Sequence, residues 1–318
     1  MATASNMKED LTAFHDHLNK SNRIVALLGA GISASSGLAT FRGAGGLWRN
    51  HDATSIATPE AFEEDPALVW RFYSYRRHKA LQAEPNPAHY ALAELARRKP
   101  RFLTLSQNVD GLSPRAGHPP EQLKLLHGSL FQVRCHNPKC DYQEDNYEDP
   151  IVPALAIPTD GKDPTTREAL EEAQTAKKQG TELDISDASV PIEKITTSQL
   201  PHCPKCENRL LRPNVVWFGE NLPRKTIEEV DEYMDQREGI DLIMVIGTSA
   251  KVYPAAGYSE EARDKGASVC VINMDPNDRP PGGWKQGDWF FQGDAAELVP
   301  KLLEPVIGTL RLPSKSMV

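Results

Sequence analysis

The chain has little cysteine, five residues in 318, and no run of about 18 apolar residues, so no membrane span is expected. Positive charge is not in excess either. There are 36 basic and 44 acidic side chains, for a net charge of −8. The basic footprint that grips phosphate backbones is missing, and no direct nucleic-acid partner is expected. An acidic surface suits cationic peptides, but it is also the ordinary state of soluble proteins. Met1 to Ser21 carries Lys8, Lys20, Glu9 and Asp10 but no arginine and no apolar core. That fits neither a secretory signal nor a mitochondrial presequence. A reducing compartment, cytoplasmic or nuclear, is therefore expected, and the cysteines are not read as disulfides.

What is present is the make-up of a globular α/β protein, 39% hydrophobic and 25% charged. Met7, Leu11, Phe14 and Leu18 recur at helical spacing. Ile24 to Leu28 is a short apolar run ending in Gly29, the pattern of a strand buried on both faces. Phe102 to Leu105, Leu242 to Ile246 and Val269 to Ile272 repeat it. Helix-like segments lie between them, at Ala88 to Arg98, Lys225 to Gln236 and Ala255 to Lys265. Strands alternating with helices imply a doubly wound parallel sheet. In such sheets ligands bind beyond the carboxyl ends of the strands. Two segments interrupt the pattern. Gly43 to Asn86 is rich in aromatics, and Cys135 to Cys206 is bracketed by cysteine pairs, with a polar, weakly patterned stretch from Pro150 to Leu200.

Three motifs carry chemistry. Gly29-Ala30-Gly31-Ile32-Ser33, followed by Gly37, comes directly after the first strand. Glycines there let the backbone approach a pyrophosphate, and a following helix would aim its positive end at it. The spacing is not that of dehydrogenases, and a plain tight turn is the competing reading. Cys135-x4-Cys140 and Cys203-x2-Cys206 are two knuckle-like pairs. Four thiolates from two short turns suit tetrahedral zinc and leave no open coordination position, so the metal would be structural. Lys139 and Lys205 inside the knuckles would offset the charge. Cys270, in a strand pattern, reads as a buried apolar residue. Third, Gln107-Asn108-Val109-Asp110 just past a strand is followed by His127-Gly128-Ser129. A lone histidine is more often structural, but an exposed imidazole beside these groups could take a proton from a sugar hydroxyl.

Taken together, these motifs resemble the sirtuin family. Gly-Ala-Gly-Ile-Ser (29–33), Thr-Phe-Arg (40–42), Gln-Asn-Val-Asp (107–110), His-Gly-Ser (127–129), the four cysteines, Val-Val-Trp-Phe-Gly-Glu (215–220) and Gly-Thr-Ser (247–249) occur in the family's order, over about residues 8 to 300. The resemblance implies a Rossmann-like NAD domain, a small zinc-bearing module and a substrate peptide in the cleft between them. It implies that residues 1–42, 87–134 and 213–304 form the NAD-binding domain and 43–86 a cofactor-loop and helical substrate-pocket segment. Residues 135–212 would form the zinc module with its insertion, and 305–318 a tail. It assigns Gly29, Ala30, Gly31, Ile32 and Ser33 to the phosphates and ribose. Phe41, Arg42 and Trp48 go to the cofactor loop, and Gln107, Asn108, Val109 and Asp110 to the nicotinamide. Gly247, Thr248 and Ser249 would contact phosphate and ribose. Asn273, Met274 and Asp275 would meet the adenosine ribose, and Ala295 would lie near adenine. The implied chemistry is group transfer. The acyl-lysine oxygen attacks the ribose carbon as nicotinamide leaves. His127 then deprotonates a ribose hydroxyl, with Asn108 and Asp110 supporting catalysis, and O-acyl-ADP-ribose is released. Val216, Phe218, Gly219 and Glu220 would pair with the substrate backbone as an added strand.

Tyr73-Ser74-Tyr75-Arg76 resembles the Tyr-x-x-Arg pattern of the class III branch, which removes acidic acyl groups. Tyr73 and Arg76 would bind a succinyl, malonyl or glutaryl carboxylate, and Ala44 would leave room for the longer chain. Alone, the pair reads equally as ordinary residues of an amphipathic helix. The block around Pro158 to Leu183 is longer than family members usually carry; covering the cleft, binding a partner and disorder are the open readings, and its composition favours disorder. Class III animal relatives are largely mitochondrial, which leaves that compartment open. A preference for acetyl or crotonyl groups, a mono-ADP-ribosyltransferase and a non-catalytic NAD-binding protein are the alternatives.

Overall fold

The computed structural model describes residues 4–40, 47–159, 182–206, 209–249, 252–278, 280 and 282–313. Its strands are β1 Ile24–Leu28, β2 Leu47–Trp48, β3 His51–Asp52, β4 Phe102–Ser106, β5 Leu123–Leu125, β6 Gly128–Cys135, β7 Gln143–Asp145, β8 Leu211–Val215, β9 Leu242–Ile246, β10 Ser268–Asn273 and β11 Trp289–Gln292. The chain divides into two compact units. One comprises residues 1–40, 80–129 and 220–318, the other residues 41–79 and 130–219.

The first unit is built on a six-stranded sheet in the order β11-β10-β9-β1-β4-β5, parallel at every recorded pairing. Counted along the chain, that is the Rossmann order, with the direction of winding reversing between β1 and β9. β1 shows why these residues form a strand. Every one of its side chains is buried. Ile24, Ala26 and Leu28 pack on one face with Phe14, Leu18, Leu92, Leu95, Leu302 and Leu303. Val25 and Leu27 pack on the other with Val230, Met234, Tyr258 and Ala262. The uninterrupted apolar run is thus the signature of a strand with a helix layer on each side. The N-terminal helix runs from Ala4 to Lys20 and buries Phe14 and Leu18. The Met7 side chain lies outside the described residues.

Three features of this unit depart from expectation. β5 and β11 complete the sheet without a sequence forecast. Residues Ala30–Ser36, directly after the first strand, form a 3-10 helix rather than the start of an α-helix. The last helix, Ala295–Ile307, continues through Pro300 and Pro305 into the stretch expected to be tail.

The second unit contains a three-stranded sheet, β7-β6-β8, and most of the helix Pro66–Gln82. Trp70 lies flush in it and donates its indole N–H to Leu211 O at 2.9 Å. The guanidinium of the buried Arg77 donates to the Leu130 carbonyl, and to Asn146 and Glu148 at 2.9–3.0 Å. The flanks of the long insertion are tied down, contrary to the expectation of a loose polar stretch. Leu155, Ile185, Ile195 and Leu200 are buried, and Thr159 bridges Glu182. Residues 160–181, where disorder was expected, lie outside the described residues, as do Phe41, Arg42 and Ala44. Among the described residues no helix is long and apolar enough to cross a membrane.

Candidate active site

All six strands of the parallel sheet end, on one side, in residues the sequence singled out. Gly29 to Ser33 follow β1, Gln107 to Asp110 follow β4, and His127 follows β5. Gly247 to Ser249 follow β9, Asn273 to Asp275 end or follow β10, and Ala295 comes just after β11. The parallel sheet therefore gathers residues from across the sequence at its carboxyl edge.

The glycines also have a packing role that the sequence did not reveal. A Cβ on Gly29 would lie 2.4 Å from Thr248 Cβ, and one on Gly31 would lie 2.7 Å from Gly247 Cα. Gly247 itself has φ +61, and a Cβ there would sit 2.4 Å from Ile32 N. The two loops are packed backbone on backbone, held by Gly31 N–H to Gly247 O at 2.8 Å. Glycine is required by loop-to-loop contact here, before any ligand is considered.

Around this contact lies a connected set of polar side chains. Asn108 Nδ2 donates to Gly29 O at 3.1 Å and to Ser33 Oγ at 3.2 Å. Ser33 Oγ donates to Asp110 Oδ2 at 2.7 Å, and Asp110 Oδ1 accepts from Leu112 N at 2.9 Å. Gln107 Nε2 donates to Leu28 O and Thr248 Oγ1, both at 3.3 Å. Asn273 Nδ2 reaches Thr248 O at 3.1 Å. Val109 is buried, Met274 and Asp275 are exposed, and Ala295 is buried at the start of the last helix. That helix is capped by Asp294, which also accepts from the Ser35 hydroxyl.

A member of this set was not found in the sequence. His89, wholly buried, faces Ser33 Oγ at 3.4 Å. Its Nδ1 accepts from Asn86 N at 3.2 Å, closing a capping box, so the proton is on Nε2. Burial pulls its pKa down to about 4, against an opposing pull from Asp110. The Asn-Pro that opens the helix was the available signal.

His127 is half-buried rather than exposed. Its Nδ1 lies 3.0 Å from Gln107 O. A carbonyl oxygen only accepts, so Nδ1 carries the proton and Nε2 keeps its lone pair. Burial lowers the pKa, only partly offset by that hydrogen bond. The imidazole is thus neutral near pH 7, with Nε2 as the basic atom.

In the second unit, Tyr73 and Arg76 stand one turn apart on the helix Pro66–Gln82. Tyr73 is buried among rings, 5.0 Å from Phe72 and 6.3 Å from Trp217 between centroids. The half-buried Arg76 guanidinium lies 5.5 Å over the Phe72 ring. Trp48 is buried edge-on to Phe72 at 5.7 Å. Its indole N–H has no hydrogen-bond partner among the described residues. Val216 is half-buried, and Phe218 and Gly219 are exposed just past β8. Phe218 N–H already donates to Ala57 O at 2.9 Å. An added strand would pair with other backbone groups of 216–220. Glu220, in the first unit, is half-buried.

The sulfurs of Cys135, Cys140, Cys203 and Cys206 all lie within 4.8 Å of one another. Cys140 and Cys203 are 3.9 Å apart. Zinc–thiolate bonds of about 2.3 Å in a tetrahedron place sulfurs about 3.8 Å apart, so the donor set fits zinc. Burial, reinforced by the neighbouring thiols, pushes Cys135 up to about 12. Four such groups become thiolates only around a cation. Asn137 supports them with N–H donors to Cys135 and Cys206 sulfur at 3.4 and 3.8 Å. Lys205 is committed to an ion pair with Asp141, so it offsets the thiolates less than expected. Cys270 is fully buried in β10, as its pattern indicated.

Comparison with known proteins accounts for the arrangement. The chain matches the Sir2 family over residues 29–254. A protein from Candida albicans named NAD-dependent protein deacylase is 43% identical over 307 residues, covering 96% of this chain and all of that one. The dog protein named NAD-dependent protein deacylase sirtuin-5, mitochondrial, is 39% identical, covering 95% and 86%. Among solved structures, a mutant Sir2 homologue in complex with 2'-O-acetyl ADP ribose superposes with a TM-score of 0.69 at 33% identity, covering 96% of this chain and 98% of that one. A Rossmann sheet, a four-cysteine cluster and these relatives lead to one statement: the chain belongs to the Sir2 family, whose members use NAD.

Proposed function

We propose that this chain is an NAD-dependent protein-lysine deacylase that favours succinyl, malonyl or glutaryl groups and removes acetyl groups more weakly. The products are free lysine, nicotinamide and O-acyl-ADP-ribose. The relatives' names support the deacylase reading. The acidic preference rests on one observation: Tyr73 and Arg76 share a helix face within an aromatic bed. A guanidinium there meets a carboxylate with paired hydrogen bonds, and the surrounding rings keep water from screening the pair. An acetyl group offers no charge to meet it.

Bound NAD supplies the electrophilic ribose carbon and the hydroxyl that accepts the acyl group. The residues that would hold it are those of the linked loops: Gly29 to Ser33, Gln107 to Asp110, Gly247 to Ser249, Asn273 to Asp275 and Ala295. Trp48, Phe41 and Arg42 belong to the same proposal, as do Ala44 and the 216–220 segment on the substrate side. Asn108, Ser33 and Asp110 orient one another before any ligand arrives, which lowers the reorganisation cost of binding. His127 acts as general base through Nε2, its tautomer set by Gln107 O.

The test is a panel of peptides of one sequence bearing succinyl, glutaryl, acetyl or crotonyl lysine, read by nicotinamide release. Arg76→Met is expected to lower desuccinylation about a hundredfold and deacetylation far less, from loss of a charge-assisted bidentate contact. Equal losses would remove the carboxylate-reading role. A wild-type preference for acetyl or crotonyl would replace it with the alternative reading.

A further inference from the structure

The helix Pro66–Gln82 has a second engaged face. Tyr75 and His78 lie away from the Tyr73–Arg76 pair and meet the chain as it returns from the insertion. Tyr75 OH donates to Asp184 Oδ1 at 2.9 Å and reaches Ser186 Oγ at 3.5 Å. His78 lies between Asp149 Oδ2 and Glu182 Oε2, at 2.6 and 2.8 Å.

Arg49 grips the same returning segment through its backbone. It sits in the tight turn between β2 and β3 with φ +55, the only non-glycine positive φ among the described residues. Side chains resist that conformation, and it persists where surroundings over-determine it. Here they do. Arg49 N–H donates to Ser186 O at 2.7 Å. Nη1 donates to Ile185 O and Asp187 O at 3.1 and 3.2 Å. Nη2 donates to Ala188 O and Val190 O at 3.0 and 3.1 Å. One guanidinium thus holds four backbone carbonyls of a segment, 185–190, that has no strand or helix of its own. The Ile185 side chain is buried.

We infer that Arg49 is a positioning residue for acyl selectivity, acting through residues 184–190 and Tyr75 on the seat of the helix that presents Tyr73 and Arg76. The inference rests on the acidic-acyl reading above. Arg49 joins the hairpin at the end of the glycine-bearing stretch 41–46 to the returning segment. Tyr75 joins that segment to the helix. A bidentate contact to a carboxylate tolerates little displacement of the guanidinium, whereas a small neutral acyl group imposes no such demand. Loosening the brace therefore costs the acidic substrate more.

The experiment compares Arg49→Lys and Tyr75→Phe with the unaltered protein on succinyl- and acetyl-lysine peptides of one sequence, at saturating NAD and well below the unfolding midpoint. Lysine keeps the charge but cannot span four carbonyls. Phenylalanine keeps the ring and loses only the hydroxyl. In each variant the succinyl-to-acetyl ratio of kcat/KM is expected to fall about tenfold, mainly through a higher KM for the succinyl peptide. The double variant should fall little further, because both changes break one brace. Arg49→Gly removes the same grip while relieving the positive φ, and it supplies the measurement if Arg49→Lys does not fold. An unchanged ratio in Arg49→Lys and Tyr75→Phe, or equal loss of both activities, overturns the inference even where Arg76→Met collapses the ratio. If Arg76→Met leaves the ratio intact, it is the acidic reading that fails, and the inference falls with it.

Discussion

At the scale of single residues, the most consequential atom is His127 Nε2. Gln107 O holds the proton on Nδ1 and burial favours the uncharged ring, as the proposed role of general base requires. His127→Ala should bind NAD and acyl peptide with near-normal affinity and lose turnover by roughly 100- to 10,000-fold, the usual worth of a general base. Calorimetric binding beside single-turnover rates checks this, and near-normal rates would exclude the role. Because the pKa is lowered from 6.5, the acid limb of the single-turnover rate should lie below that value. A limb centred above it would contradict the assignment. His127 was legible because it stands in His-Gly-Ser, within a set of motifs in order. His89 was not. Its partner Ser33 is 56 residues away, and a histidine in the first turn of an alanine-rich helix looks like a cap and nothing more.

At the scale of elements, the buried strands were legible nearly to the residue, because a run flanked by helices on both faces must be apolar throughout. The short edge strand β5, with half-buried Lys124 in it, gives no such signal. The last helix hides behind Pro300 and Pro305, yet forms because Val299, Leu302, Leu303 and Ile307 bury a complete face. The glycine loop was legible as a motif but not in its cause, since its contact, Gly247, is remote in sequence. Gly247→Ala should destabilise the protein by more than about 2 kcal/mol, from positive φ and overpacking together. Denaturant midpoints within experimental error of the parent would refute that packing role. The Asn86–His89 cap carries a pH consequence. Folding lowers the His89 pKa from 6.5 to about 4. As pH falls the unfolded chain takes up the proton first, so the contribution is full above 6.5 and is lost between there and about 4. The shift corresponds to on the order of 3 kcal/mol. His89→Gln keeps an acceptor at the capping position but does not titrate. Its urea midpoint should vary less between pH 6.5 and 4, and an unaltered slope would assign the effect elsewhere.

At the scale of the whole molecule, the two units draw their stability from different sources. The first owns the parallel sheet with an apolar layer on each face. The second joins 41–79 to 130–219 through contacts such as Trp70 to Leu211 and Arg77 to Asn146. Those pairings leave no local trace, whereas the cysteine spacing announces the metal cluster directly. Around the cysteines the backbone is tied by hydrogen bonds from Cys135 N–H to Tyr142 O, His136 N–H to Leu210 O and Cys203 N–H to Arg209 O. An ion held by the four thiolates would add folding energy at this site and, with no open coordination position, would have no role in a chemical step. Chelation of the purified protein should therefore expose amides near Cys135 to Cys140 and Cys203 to Leu211 to hydrogen exchange. β1, β4 and β9 should stay protected, since none of their neighbours in the sheet depends on the metal. Re-adding zinc at neutral pH should restore the protection together with deacylation. Loss of activity on chelation with the cysteine-flanking amides still protected would instead place the metal in the chemistry, and its structural role would have to be abandoned.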